Sequence, residues 1–248
     1  MGTHATHIVW DWNGTLFHDT EAVMGATNAA FAELGLPPIT LGRYRELYCV
    51  PIPRFYERLL GRLPTDAEWL VMDEAFHRHY AAHRPACGLT EGAELLLESW
   101  QLAGRSQSIL SMYGHDELTP LVRGFGIEAR FLRVDGRTGP SGGSKSEHMV
   151  RHLAALTAGP SGAGNGNGHG NGQGNGTAGR GGATGRIDPG RTVVIGDAVD
   201  DAVAARHAGA HAVLYTGGSH SRASLAAAGV PVVDTLAEAV ELAEEIAA

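Results

Sequence analysis

Two carboxylates and one hydroxyl in this 248-residue chain each follow a short apolar, β-prone run. Asp11 comes directly after Ile8-Val9-Trp10, Ser111 after Ser108-Ile109-Leu110, and Gly196-Asp197 after the run 192–195. In a parallel sheet the carboxyl ends of the strands converge on one crevice, so these side chains are expected to meet. Facing carboxylates repel, and a hard divalent cation relieves the repulsion. Few protein oxygens suit Mg²⁺, which keeps waters that phosphate oxygens can replace. Lys145 joins this set for a compositional reason: it is the only lysine among 19 Lys and Arg residues. An ammonium point charge differs chemically from a guanidinium fork, so a lone lysine in an arginine-biased chain marks a role that arginine does not fill. The ordinary readings are an Asp in a strand-end turn, a Ser closing a strand, and a Gly-Asp pair opening a helix through its N-cap.

The elements that must position these residues follow from periodicity. His7–Trp10 reads as a first strand ending in the tight turn Asp-Trp-Asn-Gly. Apolar residues at helical spacing predict a helix over 21–34, closed by Gly35. Further helices are expected over 41–48, 54–60 and 66–83, with proline-containing joints at Pro37-Pro38, 51–53 and Pro64. From residue 85 strands and helices alternate. Helices are expected over 92–103, 117–125, 146–156, 201–208, 222–228 and from Leu236, with strands over 108–111, 129–134, 192–195, 211–215 and 231–233. The alternation predicts an α/β fold, a Rossmann-like parallel sheet with helices on both faces. The strand-free block at 20–84 reads as a small helical cap inserted into a core made of 1–19 and 85–248. Residues 159–185 form a Gly/Asn tract with no apolar side chain to bury, expected to be a disordered loop within the core.

Composition narrows the function classes. A net charge of −8 argues against nucleic acid as a partner, because a phosphate-backbone binder needs a basic stripe. No run approaches the ~18 apolar residues of a membrane span. Cys49 and Cys87 lie far apart and outside metal spacing, so they read as thiols of a reducing compartment, and a cytoplasmic location is expected. No feature of the sequence specifies an oligomeric state.

With these residues in view, the chain resembles the haloacid dehalogenase superfamily of phosphotransferases. The match runs through four motifs in order: DWNGT at Asp11, the strand-end Ser111, Lys145, and GDAVDD from Gly196 to Asp201. Cap position and closing segment are most like the phosphoglycolate-phosphatase group. The resemblance implies a Mg²⁺-dependent phosphatase acting on a small phosphorylated metabolite, with Asp11 as nucleophile and an aspartyl-phosphate intermediate. It implies that Asp11, the backbone carbonyl of Asn13 and Asp197 surround Mg²⁺, with Asp201 steadying a metal-bound water or Lys145 and Asp200 a second candidate for that role. Ser111 would hydrogen-bond a phosphoryl oxygen and Lys145 would neutralise charge developing beside it. Gly14 and Thr15 of the nucleophile loop, and Arg54 and Tyr56 of the cap, are candidates for contacting substrate.

One position departs from the pattern. The family's phosphatases carry a second Asp two residues after the nucleophile, as general acid and base, and here Asn13 stands there. An amide exchanges no proton near neutral pH, so help of ~10²–10⁴ is missing unless another group supplies it. His18 and His115 are candidates, or the substrate has a good leaving group. A catalytically silent phospho-ligand binder is the alternative that Asn13 favours, and haloacid dehalogenation a minor one, since it has little use for the acidic cluster at 197–201. A phosphonate hydrolase would need a cap lysine that this cap lacks, and a sugar-phosphate mutase would need the missing Asp. His77, His79 and His83 read as a solvated helix face rather than a metal site, and Ser219 or Ser221 as a helix cap.

Overall fold

β1 (His7–Trp10) is buried along its whole length and sits inside the sheet, paired in parallel on both sides. The computed structural model describes residues 7–139, 143–158 and 187–246, so the reading of 159–185 as a disordered loop lies outside the described residues. After β1 the chain turns through residues 11–16 into β2 (Phe17–His18), then into four helices: α1 (Thr20–Glu33), α2 (Leu41–Leu47), α3 (Ile52–Leu60) and α4 (Asp66–His83). It returns through β3 (Gly88–Leu89), which pairs antiparallel with β2. This two-strand ribbon carries the chain out to the four helices and back. Those helices pack around their own cluster, including Phe31, Tyr44, Phe55, Tyr56 and Met72.

The remaining elements build the sheet and its cover: α5 (Ala93–Leu102), β4 (Ser106–Gly114), α6 (His115–Gly124), β5 (Val134–Arg137), α7 (Lys145–Ala158), β6 (Thr192–Gly196), α8 (Val199–His207), β7 (His211–Tyr215), α9 (Arg222–Ala226), β8 (Val232–Val233) and α10 (Leu236–Ile246). The strand order is β5-β4-β1-β6-β7-β8, with every pairing parallel, as alternating strands and helices require. Side chains alternate across the sheet. Ile8, Trp10, Ile109, Ile195 and Val213 face Leu97, Leu118 and Ala239 of α5, α6 and α10. Val9, Leu110, Val194 and Leu214 face Met149, Leu153, Ala202 and Ala205 of α7 and α8. Asp11 continues the alternation on Val9's side, the face that α7 covers, and this is why a residue opening α7 can reach it. Among the described residues no helix is long and apolar enough to cross a membrane.

The strand expected over 129–134 is displaced. Glu128–Arg130 is a 3₁₀ turn and the regular strand is Val134–Arg137. Phe131 and Leu132 gave the apolar signal, yet Leu132 is 54% exposed. Edge pairing with β4 instead runs through Val134 and Asp135, opposite Ile109 and Leu110. Polar residues enter this strand because their partners are polar too: Asp135 Oδ2 receives His152 Nδ1 at 2.8 Å, and His152 Nε2 meets Ser108 Oγ at 2.8 Å.

The same polar layer continues to His7, whose ring nitrogens meet Ser106 Oγ and Ser108 Oγ, each at 2.8 Å. Burial, with His152 nearby, lowers its pKa from 6.5 to about 3, so the folded chain refuses a proton that the unfolded chain accepts. His7 therefore withdraws stability as pH falls from 6.5 towards 3, by at most about 1.4 kcal/mol per pH unit, and has no such effect above that window. Urea denaturation of His7→Gln is expected to show a shallower loss of stability below pH 6.5 than the unaltered chain; an identical slope would contradict this.

Candidate active site

Three carboxylates that the sequence scatters over 190 positions come together at the carboxyl ends of β1 and β6. Asp11, Asp197 and Asp201 each offer an oxygen within 4.8 Å of the others, and all three are buried. Asp11 sits immediately after β1, its backbone N–H donating to Ile195 O at 2.9 Å. Asp197 follows β6. Asp201 lies in the first turn of α8, where its Oδ2 accepts from Ala198 N at 3.0 Å. The four-residue spacing thus returns a second carboxylate from the helix to the strand end that precedes it.

Lys145 enters from the opposite wall. Its Nζ is 2.5 Å from Asp11 Oδ1 and 2.5 Å from Asp201 Oδ1. The first contact is a hydrogen bond, whereas the second is a charge pair without hydrogen-bond alignment. Among the described residues Asp11 Oδ2 has a long side-chain contact, 3.5 Å, from Thr15 Oγ1. Lys145 therefore ties one oxygen of the candidate nucleophile and leaves the other loosely held.

The electrostatics follow from burial. Burial raises the Asp11 pKa to about 6, Lys145 opposes the shift and Asp201 adds to it. Asp197 is also raised, by burial first and then by repulsion from Asp11 and Asp201. Burial alone would lower the Lys145 pKa, but Asp11 and Asp201 reverse that and keep it an ammonium. One cation faces three carboxylates out of water. The donor set is all oxygen and over-charged, which fits Mg²⁺ or a similar hard cation.

Two glycines wall Asp197. Gly14 has φ of +72° and its absent Cβ would lie 2.7 Å from Asp197 Oδ2. A Cβ on Gly218 would lie 1.9 Å from the same oxygen. Ser219 N donates to Asp197 Oδ2 at 2.6 Å, so the loop 217–221 holds this carboxylate by its backbone.

Asn13 does not point an acid-base group at the crevice. Its Nδ2 donates to Asp19 Oδ2 at 2.8 Å and lies 3.0 Å from the Tyr80 hydroxyl, which itself donates to Asp19 Oδ2 at 2.7 Å. Gly14 N donates to Asp19 Oδ1 at 3.0 Å. Asp19 immediately precedes α1 and Tyr80 belongs to α4, so Asn13 joins the nucleophile turn to the helical unit. An Asp before a helix ordinarily reads as an N-cap, which hid this role of Asp19; nothing in the sequence marked Tyr80.

Ser111 is buried on β4 beside β1, its Oγ accepting from Tyr113 N at 3.1 Å. Arg54 and Tyr56 do not reach the crevice. Arg54 is exposed and pairs with Glu57 on its own helix at 2.6 Å. Tyr56 is buried in the core of the four-helix unit between Phe31 and Trp69, because α3 turns that face inward. Their place is taken by α2 and the residue after it. Arg45 donates from Nε to Gly218 O at 2.8 Å and from Nη2 to Gly217 O at 2.9 Å. Tyr48 sets its ring edge-on to His220 at 5.0 Å, and its hydroxyl pKa is raised by burial and then by Asp197, Asp200 and Asp11. His18 is exposed on β2, and His115 Nδ1 accepts from Gly136 N at 3.2 Å on the β5 side. His77, His79 and His83 lie outside any metal-competent cluster among the described residues. Ser221 caps α9, its side chain accepting from Ser224 N.

Proteins of known family resemble this chain in sequence or in fold. Residues 146–239 match the family model described as HAD-hydrolase-like. The chain's α/β core is of the haloacid dehalogenase-like type. A phosphoglycolate phosphatase from Cereibacter sphaeroides is 30% identical over 123 residues, 43% of this chain. The match spans 56% of that relative's length. A haloacid dehalogenase-like hydrolase from Streptococcus pneumoniae superposes with a TM-score of 0.71 at 18% identity, covering 96% of this chain and 98% of its own. Protein Tyrosine Kinase A of Mycobacterium tuberculosis superposes with a TM-score of 0.69 at 20% identity, covering 98% and 99%. These two likenesses are of fold.

Gly218→Ala forces its new Cβ against Asp197. Calorimetric titration with Mg²⁺ is expected to show affinity reduced by roughly 10–100-fold, the range for groups that orient a metal ligand. Unchanged affinity would separate Asp197 from cation binding.

Proposed function

We propose that this protein is a Mg²⁺-dependent phosphatase of small phosphorylated metabolites, working in the cytoplasm through a phosphorylated Asp11. The observation that carries the reading is the buried excess of carboxylate, Asp11, Asp197 and Asp201, around the single lysine. Asp11 and Asp197, with the Asn13 carbonyl and with Asp201 behind them, would hold Mg²⁺, which when bound supplies positive charge to phosphoryl oxygens.

The chain's own groups divide the work. A carboxylate oxygen of Asp11 attacks phosphorus and the bond to the leaving oxygen breaks, giving an acyl phosphate; water then cleaves that phosphate and regenerates the carboxylate. Lys145 Nζ, already beside Asp11, balances charge on the transferring group, and the Ser111 hydroxyl orients one of its oxygens. Tyr48 and Arg45 shape the side of the crevice nearest the cap. The four-helix unit at 20–84 serves as the cap over the core. The phosphoglycolate phosphatase relative favours a small carboxylated phosphate ester as substrate.

With p-nitrophenyl phosphate and Mg²⁺, the unaltered protein is expected to release phosphate and Asp11→Asn to fall below detection. Turnover that persists in Asp11→Asn, or that ignores chelation of the metal, would overturn the reading.

Asn13 favours a second reading, a phospho-ligand binder that turns over slowly or not at all. Its amide is committed to Asp19 and Tyr80, and an amide cannot protonate a leaving alkoxide. Asn13→Asp would set a carboxyl against Asp19 and give position 13 a group able to exchange a proton. Turnover of alkyl phosphates is expected to rise by roughly 10²-fold or more in Asn13→Asp, with little change for aryl phosphates, whose leaving groups need no proton. An unchanged alkyl-to-aryl ratio would show that the missing acid is supplied elsewhere.

A further inference from the structure

A cavity of about 340 Å³ lies between β5 and α7, and none of Asp11, Lys145, Asp197 or Asp201 lines it. Its walls include His115, Arg133, Thr138, His148 and Arg151. The one carboxylate on its wall, Asp135, is already engaged by His152 and by Arg133 at 2.5 Å.

The two imidazoles are fixed as donors into this space by their other nitrogens. Arg151 Nη2 lies 3.1 Å from His148 Nδ1, and a guanidinium only donates, so Nδ1 accepts and the ring hydrogen sits on Nε2. Burial and the Arg151 charge lower the His148 pKa, with Glu147 and Asp135 opposing them. Gly136 N donates to His115 Nδ1 at 3.2 Å, leaving the hydrogen of that ring on Nε2 as well. His148 is 7% exposed, and its Nε2 has no hydrogen-bond partner among the described residues. A buried donor without an acceptor costs roughly 1–3 kcal/mol; the nearby Glu147 carboxylate is engaged by Ser144 N at 3.2 Å and makes no hydrogen bond to this nitrogen.

We propose that this cavity binds a tetrahedral oxyanion, either free phosphate or the phosphate group of a small ester, accepting from His148 Nε2 and Arg151 with His115 and Arg133 at its edge. The guanidinium of Arg151 supplies charge and the imidazoles supply direction. The volume admits an ester as readily as the free ion. The site is separate from the Asp11 crevice, but His148 lies one turn beyond Lys145 on α7.

The test uses metal-free Asp11→Asn protein, so that the carboxylate crevice does not itself collect phosphate through a cation. Imidazole ¹⁵N signals are followed while inorganic phosphate is added, and in a second arm phenyl phosphate. The His148 signal is expected to shift saturably with a Kd on the order of 1 mM. In Arg151→Ala, a change at an exposed position, the Kd should rise at least ~10-fold. Saturation by phosphate but not by phenyl phosphate assigns the site to the free ion, and the reverse assigns it to an ester. No saturable shift with either probe up to ~50 mM, or identical titrations in Arg151→Ala, would overturn the proposal. His148→Phe, which keeps a ring in the buried position, should lose binding as seen by the His115 signal; binding that survives would also overturn it.

Discussion

Three carboxylates buried around one ammonium group set the terms for the rest of this molecule. Left alone, Asp11, Asp197 and Asp201 carry two more negative charges than Lys145 can balance, and a low-dielectric interior makes that imbalance expensive. The raised pKa values of Asp11 and Asp197 express the cost. A divalent cation removes it, and a phosphoryl group then brings its own negative charge to the same place. On the proposed reading the cation cancels the excess of the carboxylates, and the phosphoryl charge it would then meet is shared with Lys145.

The surrounding architecture keeps that imbalance from relaxing. β1 is flanked by β4 and β6, so Asp11 cannot swing away from Asp197 without breaking the parallel ladder. Gly14 and Gly218 close on Asp197 from two sides, and Ser219 N holds one of its oxygens. The four-helix unit is joined to the same place through several bonds: Arg45 grips the carbonyls of Gly217 and Gly218, Thr20 Oγ1 donates to Gly217 O, and Tyr80 with Asp19 grips Asn13.

Much of this was legible in the chain because the signals were local. A three-residue apolar run before Asp11, a Gly-Asp pair after 192–195 and a lone lysine at the start of a helical period each survive without knowledge of the fold. Parallel topology then brings strand ends together by rule rather than by detail. Reasoning went astray where the outcome depends on rotation or on distant partners. The direction in which α3 faces is set by packing of Tyr56 against Phe31 and Trp69, so Arg54 was directed outward and α2 supplied Arg45. At β5, apolar Phe131 and Leu132 outweighed the polar residues that pair with β4. Asn13 was visible as a departure, yet its partner Tyr80 is 67 residues away and carried no mark.

The central claim, that Asp11 takes the phosphoryl group, is tested most directly by acid-quenching a single turnover of an aryl phosphate with Mg²⁺ and mapping any covalent phosphate by peptide mass spectrometry. The account predicts the mass of one phosphoryl group on the peptide containing Asp11, labile to hydroxylamine as an acyl phosphate is. Phosphate carried on a histidine or serine, or turnover with no label on Asp11 at any quench time, would contradict it.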